Sequence, residues 1–171
     1  MIRSVILLLF LCCHYSECKH CNITKYDSNV FCDCTSRGFR SIPKYIPTET
    51  TVLDLSNNIL QLIRNYSFNW LTNLRILKIR YSHIAYIEVE AFSGMVRLKK
   101  LDLNLNNLTS DSLPKGVFRR IPHLITLDIS HNLFIRQSTN IQKAHFMIFP
   151  NYRFCTLAES MGQRLERGLI H

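Results

Sequence analysis

Leu98-Lys99-Lys100-Leu101-Asp102-Leu103-Asn104-Leu105-Asn106 is the stretch that decides how this chain folds. Leu101 and Leu103 alternate with Asp102, the period of a strand with one apolar face. Asn106 closes the stretch with a side chain that can both donate to and accept from turn backbone. The pattern occurs three more times. Thr50-Thr51-Val52-Leu53-Asp54-Leu55-Ser56-Asn57-Asn58 precedes it, then Leu74-Arg75-Ile76-Leu77-Lys78-Ile79-Arg80-Tyr81-Ser82. Leu124-Ile125-Thr126-Leu127-Asp128-Ile129-Ser130-His131-Asn132 follows. The starts at 50, 74, 98 and 124 are separated by 24, 24 and 26 residues.

The agreement extends between the strands. Leu60, Ile84, Leu108 and Phe134 recur two residues after the closing position, and Ile63, Ile87 and Leu113 come next. Phe68, Phe92 and Phe118 follow, each with an apolar residue three further on: Leu71, Met95 and Ile121. The third unit holds this phase through a two-residue insertion between Ser110 and Pro114. One short strand cannot bury its face alone, so such units stack into a parallel sheet with one continuous core. Asn58, Asn106 and Asn132 are expected to satisfy turn backbone that would otherwise be buried unpaired. Ser82 stands at that place in the second unit, where a hydroxyl replaces only part of the bonding, so a weaker turn is expected there.

This pattern resembles the leucine-rich repeat. Residues 18–134 resemble the N-terminal part of a Toll-like receptor ectodomain, most closely along Cys34–Asn58. The resemblance implies an α/β repeat solenoid, a right-handed leucine-rich-repeat coil. Short parallel strands line its concave face, irregular or helical segments its convex face, and a disulfide-stapled cap its N-terminal end. The expected organisation is a signal peptide over 1–17, a cysteine-rich cap over 18–49 and repeats over 50–134, divided as 50–73, 74–97, 98–123 and a partial 124–134. The tail 135–171 lacks the period, and within it Thr156–Leu169 is expected as a poor amphipathic helix through Leu157, Met161 and Leu165. Either this tail folds over the last repeat, or the uncapped end marks a truncated product or an alternative transcript, the second being the expectation. The family's membrane helix and intracellular signalling domain are not expected in this chain.

Met1-Ile2-Arg3 followed by an apolar run to Cys13 has the layout of a secretory signal, with cleavage expected between Cys13 and Cys18. The run is too short to span a bilayer, which takes about 20 residues, so a secreted, extracellular product with no membrane span is expected. In that compartment Cys18, Cys21, Cys32 and Cys34 read as two disulfides, with three pairings open. The competing reading is a zinc site, for which the spacing lacks the usual pair of CxxC knuckles. Cys155 reads as a leftover thiol or an intermolecular bridge.

The net charge is +9, of which the repeat region carries +6 and the tail +3. Such an excess favours anionic partners without indicating specific nucleic-acid binding. Outward positions of the strand face are expected at 51, 52, 54, 56 and 57 and their equivalents. Among these Arg75, Lys78, Arg80, Lys99 and Lys100 gather with Tyr81 on the second and third units. Lys78 stands where the other units have Asp54, Asp102 and Asp128, within reach of both flanking aspartates. One reading is a solvated charge face. The other is a docking site for phosphate, sulfate or a sugar acid, with Tyr81 as its wall.

Asn22-Ile-Thr, Asn65-Tyr-Ser and Asn107-Leu-Thr are glycosylation sequons, the last two away from the strand face. No HExxH, phosphate loop, GxSxG or GxGxxG occurs, so no catalytic residue, metal or cofactor is expected. The implied function is non-catalytic recognition: an innate-immune ectodomain fragment binding a microbial pattern molecule or a partner ectodomain. The alternative is a small secreted matrix or adhesion protein that binds glycosaminoglycan, collagen or a cell-surface protein.

Overall fold

The computed structural model describes residues 20–134. The expected signal peptide, Cys18, Cys155 and the tail helix lie outside the described residues. Eight strands are present among the described residues: β1 (Asn22–Tyr26), β2 (Asn29–Asp33), β3 (Val52–Asp54), β4 (Leu62–Ile63), β5 (Ile76–Lys78), β6 (Tyr86–Ile87), β7 (Lys100–Asp102) and β8 (Thr126–Asp128). Six form one sheet in the order β1-β2-β3-β5-β7-β8. The hairpin β1–β2 is antiparallel, and all later pairings in the sheet are parallel.

The register is the one the repeat demands. Leu53, Leu77, Leu101 and Leu127 stand side by side on consecutive rungs. All four are buried, as are Leu55, Ile79, Leu103 and Ile129 two residues on. From the other side Phe68, Phe92 and Phe118 stack in a column, successive rings 6.2 Å apart and close to parallel. Each coil thus contributes leucine from its strand and phenylalanine from its return path to one interior. Removing one such ring costs about 3–5 kcal/mol.

The return paths are turns held by bonds three residues apart, such as Leu71 N–H to Phe68 O (2.9 Å) and Leu74 N–H to Leu71 O (3.1 Å). A 3-10 helix over Val117–Arg120 serves the third coil, and the short parallel pair β4–β6 joins the first two returns. The returns run close together. A Cβ on Gly94, whose φ is +91°, would stand 2.9 Å from the carbonyl oxygen of Asn69 one coil earlier.

The cap holds a rung that the repeat count starting at residue 50 does not include. Cys32 pairs in register with Leu53, and Phe31 and Asp33 with Val52 and Asp54. The alternation Cys32-x-Cys34 therefore copies Leu53-x-Leu55, with sulfur in place of isobutyl groups. Cys34 is bridged to Cys21. The hairpin and the bridge close the apolar end that the first repeat would otherwise leave open.

Candidate recognition surface

Three rows of side chains cross the strand face. The first runs Phe31, Val52, Ile76, Lys100, Thr126, and the second Asp33, Asp54, Lys78, Asp102, Asp128. Two residues further along the strands lie Ser56, Arg80, Asn104 and Ser130. The sequence places the repeat positions of these rows outward, and Thr51 with them, but Thr51, Ser56, Asp102, Asn104 and Ser130 are buried. Their short side chains lie flat in bonds to neighbouring coils. Thr51 Oγ1 accepts from Val30 N–H at 3.0 Å, and Ser56 Oγ from Arg80 N–H at 3.2 Å. The Asn104 amide donates to Ser130 Oγ, which donates to Asp128 at 2.6 Å. The middle of the face is an inlaid polar network, and only the long side chains stand clear of it.

The ion pairs correct the expected role of Lys78. Its ammonium reaches Asp54 at 3.6 Å, while Asp102 is met by Arg80 at 3.9 Å. Asp102 is only 8% exposed, and the longer arginine from the next row covers it. Burial, then the Asp128 charge alongside, hold the Asp102 carboxyl above its ordinary value. Lys78 and Arg80 are therefore spent on aspartates. Arg75, Lys99 and Lys100 are exposed and form no ion pair among the described residues.

Tyr81 is 56% exposed and sits at φ +50°, in the left-handed region. Asn57, Leu105 and His131, its equivalents, share that conformation, with φ between +53° and +59°. Asn57 and His131 are of types enriched there, whereas Tyr81 and Leu105 are not. The sequence places this row outward on the strand face but does not announce its left-handed backbone, because Tyr81 and Leu105 are not residues that signal it. The sign was positional: each directly precedes the turn-closing Asn or Ser.

In the cap, the Cys21–Cys34 bridge takes two of the four sulfurs that a zinc site would need as thiolates. Cys32 is buried, with no disulfide partner among the described residues. As a free thiol it is pushed up to about 11 by burial and then by the Asp33 charge. All three sequon asparagines are exposed. Asn65 Oδ1 also accepts from Glu90 N–H at 2.8 Å, which orients its amide from the neighbouring return path. No helix among the described residues is long and apolar enough to cross a membrane.

Known proteins share this architecture. The family model described as leucine rich repeat matches residues 48–108. Leucine-rich repeat-containing protein 3 of Danio rerio is 32% identical over 110 residues, 64% of this chain and 41% of that protein. Toll-like receptor 3 of Bos taurus is 38% identical over 72 residues, 40% of this chain and 8% of that receptor. Among solved structures, a TLR13–ssRNA13 complex superposes with a TM-score of 0.62 at 25% identity, over 79% of this chain and 18% of that one. The chain spans less than half the length of the curated relatives it matches. In repeat, register and cap the chain has the leucine-rich-repeat fold and resembles part of a Toll-like receptor ectodomain.

Proposed function

We propose that this chain is a non-catalytic, extracellular recognition module of the Toll-like receptor type, which binds a microbial pattern molecule or a partner ectodomain through its strand face. The observation that carries this reading is Tyr81. It stands exposed in a conformation costly for tyrosine, beside the ion pairs Lys78–Asp54 and Arg80–Asp102. Strained, exposed residues on a rigid scaffold are a mark of binding sites. An aromatic wall flanked by fixed charges contributes both contact area and orientation. Secretion also calls for glycans at Asn22, Asn65 and Asn107. In this reading the second cap bridge joins Cys32 to Cys18, since Cys34 is joined to Cys21.

The test uses the 18–171 product secreted from animal cells. Non-reducing peptide mapping should return Cys18–Cys32 and three glycopeptides. The immobilised protein should retain one member of a panel of microbial polymers and receptor ectodomains. Lys78→Glu with Tyr81→Ala should abolish that retention without changing the circular dichroism. Retention that survives the double change, or no retention of any panel member, overturns the reading.

A further inference from the structure

We propose that the upstream flank of the second and third coils, where the chain runs into β5 and β7, docks a sulfated glycosaminoglycan chain through Arg75, Arg97, Lys99 and Lys100. The inference rests on the extracellular reading and needs no partner on the strand face.

The charge distribution carries it. No Asp or Glu occurs in residues 55–87 or 91–101. The acids that do reach the strand face lie at the downstream end of the strands, where they take up Lys78 and Arg80. The four upstream cations form no ion pair among the described residues. On the cap side the nearest flank acid, Glu49, stands at the place equivalent to Arg97 two coils earlier and is already paired with Lys25.

The cations are also brought together and partly fixed. Arg75 O accepts from both Lys99 N–H (2.8 Å) and Lys100 N–H (3.0 Å), so the basic residues of adjacent coils sit one strand spacing apart. Arg97 donates to Asn73 Oδ1 at 2.7 Å, and Asn73 donates back to Thr48 O at 3.2 Å. A neutral amide thus orients the guanidinium and leaves its charge free for an incoming anion. Guanidinium and ammonium groups so presented make charge-assisted bonds to sulfate oxygens.

The neighbouring exposed side chains choose between polyanions. Val96 and Ile125 border the patch, and both are aliphatic. Single-stranded nucleic acid draws much of its binding from bases stacked on aromatic faces, which this flank does not offer among the described residues. A sulfated sugar chain needs only spaced cations.

Heparin is the probe. The secreted chain should bind a heparin column and elute with salt. Arg97→Glu with Lys99→Glu should weaken heparin binding by roughly tenfold or more and flatten its salt dependence by about two released counterions. Arg64→Glu with Lys115→Glu makes the same charge change at exposed positions elsewhere and should cost far less. Equal losses in the two pairs would reduce the effect to net charge and overturn the proposal. Tighter binding of a single-stranded RNA homopolymer than of heparin, lost in the same flank pair, would overturn the choice of ligand. The flank pair should leave retention by the strand face intact. Heparin binding without any strand-face partner therefore overturns the proposed function alone, and the converse overturns this inference alone.

Discussion

The turns that close the second and third strands use the same backbone path with different side chains, and the two are held from different places. In the third coil Asn106 donates to Leu103 O (3.0 Å) within its own turn and to Ile79 O (2.6 Å) one coil back. Its Oδ1 accepts from Ser82 N–H (2.9 Å) and Ile84 N–H (3.0 Å), both in the second coil. In the second coil Ser82 has one hydroxyl proton, facing Leu55 O at 3.1 Å and Arg80 O at 3.0 Å, and accepts from Asn58 N–H at 3.4 Å. The Leu60 N–H that a longer amide would capture goes to the Ser82 backbone carbonyl instead, at 3.1 Å. Each side chain of this column therefore satisfies the turn before its own. The expected weakness belongs to the Asn58–Leu60 turn, not to the turn at Ser82, which Asn106 holds from outside.

The largest effect should come from breaking the well-held member. Asn106→Ala leaves two buried N–H groups and the Ile79 carbonyl without these partners. At about 1–3 kcal/mol for each orphaned group, the loss should reach about 3–5 kcal/mol. Ser82→Ala deprives chiefly Asn58 N–H, since Leu55 O keeps its 2.7 Å bond from the Asn58 amide, and should cost about 1 kcal/mol. Urea unfolding of both variants measures the contrast. Equal destabilisation would show that the column does not work across coils in this way.

The same contrast marks how far the residues alone could be read. Rungs and phenylalanine column were legible because they depend on side-chain period, and every period-bearing residue from Leu53 to Leu127 is buried as its place requires. The extra rung of the cap was hidden because cysteines at 32 and 34 announce a disulfide more loudly than an alternation. The pairing of Lys78 and Arg80 was not legible either. It turns on how deeply Asp102 sinks and which cation is long enough to cover it, and both are properties of stacked rows. The candidate site accordingly split in two: Lys78, Arg80 and Tyr81 on the strand face, and Arg75, Arg97 and Lys99 on the upstream flank, with Lys100 where that flank meets the strand face.

Asp102 gives the next, smaller test, because it belongs to the coil that Asn106 anchors. A carboxyl held above its ordinary value binds its proton more tightly in the folded chain than in the unfolded one. Its contribution therefore favours folding as pH falls into the window between the raised value and the ordinary one, and opposes folding above that window. Asp102→Asn keeps an acceptor for the Asn104 N–H, 3.1 Å away, and removes the charge. The variant should be more stable than the parent at pH 7, with the difference closing as pH drops through that window. Asp33, held low by bonds from Thr35, moves the parent the opposite way, so the difference between the two proteins is the quantity to follow. A gap that does not change with pH would assign Asp102 no titration coupled to folding.

Tyr81 is the finest of the contrasts, since it sits one residue before the Ser82 turn as Leu105 sits before Asn106. Its amide donates to Asn104 O at 3.3 Å, so the backbone of the next coil imposes the left-handed conformation whatever side chain is present. Asparagine adopts that conformation at little cost, while a larger L-residue there is strained by roughly 1 kcal/mol. With the ring largely in solvent, little packing is lost, and Tyr81→Asn should stabilise the chain by about 0.5–1 kcal/mol. Thermal unfolding reads the gain, and the panel retention reads its consequence. A variant that gains stability and loses retention shows a strained tyrosine kept for its contact. One that gains stability and retains its partner in full removes Tyr81 from the recognition surface.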